Sequence, residues 1–170
     1  WVRVPTLFNN NQDTVIYMKY GSSSITSPTA IPNGVWDPSY VGVWHLNESG
    51  AGNPGEYKDS TQYTNHGQGG TAPARESAKI AGGQHFDGTN NGIVINADPE
   101  LNILGSITAE AWVELHTNNP PANASIVGKG TQYDLYQETG FTRRLTFAVT
   151  PQSLGTPVKV SANLAQTGTW

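Results

Sequence analysis

Short segments in which apolar and polar residues alternate recur along most of this sequence, separated by glycine, asparagine and proline. Alternation places successive side chains on opposite faces of a β-strand, and the separating residues favour turns. No window sustains the 3.6-residue apolar period of an amphipathic helix, so we expect helix to be nearly absent. The clearest strand segments are QHFDG, GIVINA, ITAEAWVEL, ASIVGKG, YDLYQE, RLTFAVT and VKVSANL. Many short strands at this spacing predict an all-β sandwich or jelly roll.

A single helical turn is predicted, between Asp98 and Leu101. The Asp98 carboxylate can accept a hydrogen bond from a free N–H group of the first turn, as N-cap residues do. Pro99 follows it, and proline has the backbone geometry of a first helical position. We expect no longer helix.

The composition argues against several classes of function. Cysteine is absent, which removes disulfides, thiolate metal sites and cysteine nucleophiles. Lys and Arg number nine against 13 Asp and Glu, and they do not cluster beyond Arg143 and Arg144, so nucleic acid is not the expected partner. No apolar run approaches the ~20 residues that a membrane helix requires, so no membrane span is expected in this segment.

The first 38 residues are predicted to be organised separately from the remainder. The segments WVRVPTLF and DTVIYMKYGS alternate on either side of a polar loop, which predicts a β-hairpin. A stretch rich in Gly, Ser, Thr and Pro follows and is typical of a linker or a long surface loop. The strand pattern then restarts with YVGVWHL. We therefore predict two parts, residues 1–38 and residues 39–170.

Five phrases between Tyr40 and Lys129 resemble, in the same order, the laminin-G-like branch of the concanavalin-A-like lectin and glucanase superfamily. They are VGVWHLNE, KDSTQYTNHGQ, AKIAGGQHFDGTNNGIVI, LNILGSITAEAWVEL and IVGKG. The resemblance implies a concanavalin-A-like jelly-roll β-sandwich over residues 39–170, C-terminally incomplete because that superfamily continues into more strands. The first forty residues resemble the last two strands of a short β domain of unknown function. They either end such a domain or lie against the sandwich, and the chain is expected to be a piece of a longer protein.

The resemblance leaves the function open, because sandwiches of this kind serve as recognition modules, structural units and enzymes. Our first hypothesis is a non-catalytic extracellular or cell-surface module for recognition or adhesion, which binds glycan or the surface of an extracellular protein. The second is a structural spacer, or a self-assembling subunit of an extracellular assembly. The third is a glycosidase or polysaccharide lyase on the same scaffold.

Glu110 and Glu114, in the segment EAWVE, form the most tempting catalytic pair. Residues i and i+4 of a strand share a face but stand ~13 Å apart. Glycoside hydrolysis requires carboxyl groups roughly 5 to 9.5 Å apart. The glucanase motif of the superfamily also places an Asp where this sequence has Trp112. We therefore interpret both glutamates as solvated strand carboxylates beside a packed Trp112, and we name no catalytic residue.

Metal sites are predicted from oxygen ligands rather than from histidines. The histidines are scattered without zinc spacing, and His45 is expected to be packed or hydrogen-bonded. A calcium ion takes about 6 to 8 oxygen ligands, and the resemblance implies one structural calcium. The candidate ligands lie in glycine-rich loops and are Glu48, Asp59, Asn65 and Asp87. The alternative is that Asp59 caps its own backbone and that Asp87 begins a hairpin turn with Gly88.

Aromatic side chains near loops are the candidates for carbohydrate binding. A sugar packs its C–H face on an aromatic ring while its hydroxyl groups need nearby donors and acceptors. The four candidates are Tyr57, Tyr63, Tyr133 and Tyr136. The aromatic residues inside strand patterns, Trp44, Trp112 and Phe86, are predicted to lie in the core.

Overall fold

The computed structural model describes residues 1–9 and 11–164. It is predominantly β, with eight short strands in three antiparallel sheets. The strands are β1 (Gly67–Gly69), β2 (Ala74–Ser77), β3 (Gly82–His85), β4 (Ile93–Ile95), β5 (Ala124–Lys129), β6 (Tyr133–Gln137), β7 (Arg144–Val149) and β8 (Val158–Asn163). The helical elements within these residues are two 3₁₀ turns, Pro32–Gly34 and Pro99–Leu101. The predicted near-absence of helix is confirmed.

The turn Pro99–Leu101 forms as its sequence predicts. Asp98 is the N-cap in an extended conformation, and its Oδ1 accepts a hydrogen bond from the backbone N–H of Glu100 at 3.2 Å. The turn buries Leu101, which is 9% exposed and belongs to the small hydrophobic core of the described residues. A short cap-and-proline signal therefore suffices to place a single turn.

Two of the sheets are two-stranded. β1 pairs with β4, with Gly67 opposite Ile95, and β2 pairs with β3, with Ala74 opposite His85. A Cβ on Gly67 would lie 2.5 Å from the Ile93 side chain, so this position admits only glycine. The glycine-rich segment that begins at Gly67 is therefore a strand that needs close backbone approach, and not a loose loop.

The third sheet has four strands in the order β5-β6-β7-β8, each antiparallel to the next. Val127, Leu135, Phe147 and Val160 lie opposite one another across it and form an apolar row on one face. Val160 ends the row and is 69% exposed. The strands predicted from ASIVGKG, YDLYQE, RLTFAVT and VKVSANL are confirmed.

Both ends of the segment from Leu101 to Thr117 are hydrogen-bonded to the four-stranded sheet. The Tyr133 hydroxyl donates to the Leu101 carbonyl oxygen at 3.2 Å, and Gln137 Nε2 donates to the Thr117 carbonyl oxygen at 2.9 Å. Lys129 Nζ also donates to Asn102 Oδ1. These polar contacts satisfy backbone groups of a segment without strand structure, as buried backbone requires.

Several predicted strands are not present among the described residues. No strand forms in residues 1–9 and 11–38, although the Phe8 N–H donates to Thr14 Oγ1 at 2.8 Å and so turns the chain back. YVGVWHL contributes one isolated bridge, and ITAEAWVEL forms none. Alternation favours an extended backbone, but a strand also needs a neighbouring strand, which these segments do not find. The predicted burial of Trp112 and Phe86 is wrong, because they are 61% and 46% exposed.

Across the described parts of the chain, no helix is both long and apolar enough to cross a membrane.

Candidate functional site

A polar cleft of about 350 Å³ lies at one end of the β1–β4 pair. Because these strands are antiparallel, the chain entering β1 and the chain leaving β4 meet at the same end. Residues 63–66 therefore face residues 96–98 across the cleft. Its polar lining is Tyr63, Thr64, Asn65, His66, Gln68, Asn96 and Asp98.

The loop before β1 is held in shape by the buried carboxylate of Asp59. Asp59 Oδ1 accepts hydrogen bonds from the N–H groups of Val43 and Thr61, each at 2.9 Å. Its Oδ2 accepts from the Thr61 hydroxyl at 2.7 Å and from the Asn65 N–H at 2.9 Å. Four donors around one carboxylate form a set of strong, charge-assisted hydrogen bonds. Asp59 thereby fixes the wall of the cleft.

Two further features set the direction of the loop within this wall. Thr64 has a φ of 55°, in the left-handed region that a β-branched residue rarely adopts. The Tyr63 hydroxyl donates to the Pro38 carbonyl oxygen at 2.9 Å. The ring is therefore held by this hydrogen bond at its hydroxyl and by the backbone at its Cβ. Strained backbone of this kind persists only where its surroundings enforce it, and here the Asp59 hydrogen bonds do so.

His66 is held in one tautomer. Its Nδ1 accepts a hydrogen bond from the Asp59 N–H at 3.0 Å, so the proton of the neutral ring resides on Nε2. In this form Nε2 can donate a hydrogen bond and cannot accept one. His66 therefore contributes a donor to the cleft.

The remaining polar residues of the cleft contribute amide and carboxylate groups. Gln68 lies within β1, Asn96 is exposed just after β4, and Asp98 begins the 3₁₀ turn. Of the described residues that line the cleft, Asp98 is the one carboxylate, and its Oδ1 already accepts from Glu100. The cleft thus combines the phenol ring of Tyr63 with neutral donors and acceptors and one carboxylate.

Of the four tyrosines predicted as ligand-binding residues, Tyr63 lies in this cleft. Tyr57 and Tyr136 are 0% and 4% exposed, so neither ring is a surface platform and that part of the prediction is corrected. Burial raises the pKa of Tyr57, and the carboxylates of Glu56 and Glu48 add to the shift. Tyr133 is half-buried and bound to Leu101, and burial raises its pKa too. Tyr57 is buried at an isolated bridge to Gly67, and Tyr136 is buried within β6.

The four predicted calcium ligands do not assemble into one site. Within the described residues, no three Asp, Glu, His or Cys side chains come together as a metal cluster. Asp59 uses both oxygens on N–H and O–H donors, and Asn65 Nδ2 donates to the Val41 carbonyl oxygen at 3.0 Å. Asp87 Oδ1 accepts from the Thr89 N–H, and this bond lowers the pKa of Asp87. The capping role weighed against calcium for Asp59 is therefore observed. Asp87 caps its own backbone at Thr89, but the predicted hairpin turn with Gly88 is wrong, because β3 and β4 on either side of it do not pair with each other.

Glu48 differs from the other three. Its Oε1 accepts from the Lys58 N–H at 2.9 Å, whereas its Oε2 is buried without a hydrogen-bond partner. This oxygen fits a cation ligand, but the remaining predicted ligands do not complete its coordination. Calcium binding stays a prediction.

Of the polar lining residues, five were not predicted from the sequence: Thr64, His66, Gln68, Asn96 and Asp98. In the sequence, His66 lacks the spacing of a zinc ligand and Asp98 is predicted as a helix cap, so neither residue is predicted to line a cleft. These residues could have been found only from the pairing of β1 with β4, because that antiparallel pair brings residues 64–66 next to residues 96–98. Sequence alternation identifies strands but does not identify their partners.

No family model matches the chain, and neither a curated protein nor a solved structure matches it.

Proposed function

We propose that this chain is a non-catalytic extracellular or cell-surface recognition module that binds carbohydrate in the cleft between residues 63–68 and 96–98. The observation that carries the proposal is the lining itself, in which Tyr63 stands among the side chains of His66, Gln68 and Asn96. A sugar needs an aromatic surface for its C–H groups and paired donors and acceptors for its hydroxyls. The proposal includes the laminin-G-like, jelly-roll assignment for residues 39–170.

The chemistry of the lining favours recognition over catalysis. Glycoside hydrolysis by the usual route requires two carboxyl groups, and Asp98 stands alone among the described lining residues. Neutral His66 presents a proton on Nε2, so it is not poised as a base there. The Tyr63 hydroxyl already donates to Pro38. Each group is suited to hold a hydroxyl-rich ligand in place.

Direct binding measurements test the proposal. We would screen the protein on a glycan array, in calcium and in chelator, and then measure affinity by calorimetry for the best glycan. Gln68→Ala and Asn96→Ala should each weaken binding about 5- to 30-fold, the loss expected for one or two polar contacts. The matched control is Glu110→Gln, because Glu110 is exposed and does not line the cleft.

Affinity that stays within twofold of wild type in both cleft variants would contradict the cleft as the binding site. Cleavage of any glycan on the array would contradict the non-catalytic part of the proposal and favour a glycosidase or lyase.

A second candidate function is a structural subunit of an extracellular assembly, and the edge of β8 favours it. The Leu164 N–H donates to the Arg143 carbonyl oxygen at 2.9 Å, so the even-numbered residues of β8 direct their backbone groups toward β7. The backbone groups of Lys159, Ser161 and Asn163 therefore face away from the sheet. No strand in the described parts of the chain covers this edge, which leaves a template for pairing.

A further inference from the structure

Asp98 gives the cleft a negative charge. Among the described residues that line the cleft, Asp98 is the one carboxylate, and none is Lys or Arg. Its Oδ1 accepts a hydrogen bond from the Glu100 N–H at 3.2 Å, whereas its Oδ2 accepts none from the described residues. No ion pair of these residues involves Asp98 either. One carboxylate oxygen therefore remains free for a ligand.

A second carboxylate lies directly behind the wall of the cleft. Asp59 is 5% exposed, and its Oδ2 accepts from the N–H of the lining residue Asn65 at 2.9 Å. All four of its hydrogen-bond donors are neutral N–H or O–H groups, so they leave its charge uncompensated. The field of a buried charge is screened less by salt than that of an exposed one. Asp59 and Asp98 together make the cleft attractive to a cation and unfavourable for an anion.

The Tyr63 ring adds a second kind of attraction for a cation. Its hydroxyl is bound to the Pro38 carbonyl oxygen, which keeps the ring at the wall of the cleft. The face of a phenol ring is electron-rich and stabilises an ammonium group placed within about 6 Å of the ring centre. A carboxylate also forms its strongest hydrogen bonds with charged donors. The cleft thus contains two groups that bind a protonated amine.

The remaining polar side chains of the cleft are neutral. His66 presents its Nε2–H, because its Nδ1 accepts from the Asp59 N–H at 3.0 Å. Gln68 and Asn96 each carry an amide, which both donates and accepts. These groups suit the hydroxyls of a sugar and add no positive charge. The cleft volume of about 350 Å³ lies near the lower end of small-molecule sites, which suits one or two sugar rings.

We infer that the cleft selects amino sugars, in which a protonated primary amine stands among hydroxyl groups. The ammonium group binds the Asp98 carboxylate beside the Tyr63 ring, and the hydroxyls bind the neutral side chains. This inference rests on the proposed function for the location of the site and adds the chemical class of its ligand. It also excludes a class, because uronic acids and sulfated sugars would bring an anion to a negative cleft without Lys or Arg in its described lining.

A lysine side chain of a protein partner is the other common source of an ammonium group. Lysine carries its charge on a flexible stem of four carbons, which packs on apolar surface. The apolar side chains of the lining are Pro54, Ile95 and Ala97, and the polar ones outnumber them. Hydroxyl groups next to the amine match this lining better than a bare methylene chain does.

The test compares two forms of one disaccharide, β-1,4-linked glucosamine with free amines and the same sugar with both amines acetylated. Acetylation removes the positive charge and keeps the ring hydroxyls. At about pH 6 the free amines are largely protonated. By calorimetry we expect the free amine to bind about 10-fold more tightly, because charge-assisted hydrogen bonds are roughly twice as strong as neutral ones. The disaccharide of galacturonic acid should not bind.

Asp98→Asn removes the charge and keeps the cap of the turn, because asparagine serves as an N-cap about as well as aspartate. It should weaken the binding of the free amine about 10-fold, so that both forms of the disaccharide bind equally to within twofold. The matched control is Glu100→Gln. Glu100 is an exposed neighbouring carboxylate that does not line the cleft, so its replacement should leave the preference in place.

The outcomes separate the inference from the proposed function. Equal binding of the two forms, weakened in Gln68→Ala, would overturn the inference and leave the proposed cleft intact. A preference for the free amine that persists in Asp98→Asn, or that Glu100→Gln removes equally, would also overturn it. Tighter binding of Nα-acetyllysine amide than of the free-amine disaccharide would point to a protein ligand instead. If neither form binds and no glycan on the array binds, the proposed function fails together with the inference.

Discussion

At the scale of single residues, Asp59 has the largest influence on the proposed site. It was predicted as a calcium ligand, and its alternative role as a cap for its own backbone is the one that the hydrogen bonds display. The geometry of an Asp-Ser-Thr turn is local, so the sequence can suggest it. The bond from Val43, 16 residues earlier in the chain, is not local, and sequence reasoning could not anticipate it.

Asp59→Asn should destabilise the protein by about 3 kcal/mol, because an amide places an N–H₂ group against donors that now meet a charged oxygen. The measurement is urea denaturation, in excess calcium and again in excess chelator. We expect the same loss under both conditions, since both carboxylate oxygens already accept protein hydrogen bonds.

Asp87→Asn is the matched control for this prediction. Asp87 is exposed and holds only its own turn, through the Thr89 N–H. Its replacement should cause a much smaller loss than that of Asp59. A loss from Asp59→Asn that appears only in calcium would mean that Asp59 is a metal ligand after all.

At the scale of elements, the local patterns that predict turns and paired strands are reliable here. The Asp98-Pro99 turn and the strands β5 to β8 follow from the sequence, because each hairpin partner is the next strand along the chain. The segments ITAEAWVEL and DTVIYMKYGS alternate equally well but form no strand in the described residues. Their pairing would depend on distant neighbours, which alternation does not specify.

The segment from Ser49 to Glu56 lies within the glycine-rich loop that the sequence predicts after Asn47. Glu56 Oε1 accepts from the Ser49 hydroxyl at 2.8 Å and from the Ala51 N–H at 2.9 Å, and Oε2 accepts from the Asn53 N–H at 2.9 Å. Desolvation raises the pKa of Glu56, but the hydrogen bonds outweigh it and the pKa is lowered overall. A single carboxylate thus closes the loop.

The lowered pKa makes this loop sensitive to acid. Its folded-state pKa lies below the ordinary value of 4.5, so the stabilisation is complete above that value and is lost as the pH falls through the lowered pKa. Hydrogen-exchange protection of the Ala51 and Asn53 amides should therefore decline in acid. Glu56→Gln should lower that protection at neutral pH to about the level that the wild-type protein reaches in acid, and protection independent of both pH and the substitution would contradict the prediction.

At the scale of the whole molecule, the chain is predominantly β. The alternation of apolar and polar residues, in short segments separated by Gly, Asn and Pro, predicts this, whereas the jelly-roll arrangement belongs to the proposal. The candidate site was predicted in part: Tyr63 and Asn65 lie in the cleft, and the residues that face them follow β4, more than 30 positions later. Contacts between segments so distant follow from topology, and a single sequence does not report topology directly.

The open edge of β8 allows a prediction about association. Lys159 lies on this edge, and a lysine on an edge strand opposes pairing with another chain. Lys159→Ala should strengthen association about 5-fold by removing that charge. Lys159→Pro should weaken association, because its missing N–H faces the open side of the strand.

Sedimentation velocity over a range of protein concentrations measures this effect. Lys159→Ala tests the effect of the lysine charge on association, and Lys159→Pro tests the effect of the backbone N–H. Equal sedimentation of both variants at all concentrations would contradict the edge as an assembly surface.

The hydrogen bond from the Tyr63 hydroxyl to the Pro38 carbonyl has a mechanical consequence. Pro38 belongs to the chain that carries Trp36 and Tyr40, whereas Tyr63 belongs to the cleft wall. Tension applied to the chain ahead of Pro38 would reach the cleft through this bond before it reached any strand. The shape of the proposed binding cleft would therefore differ between a stretched and a slack chain.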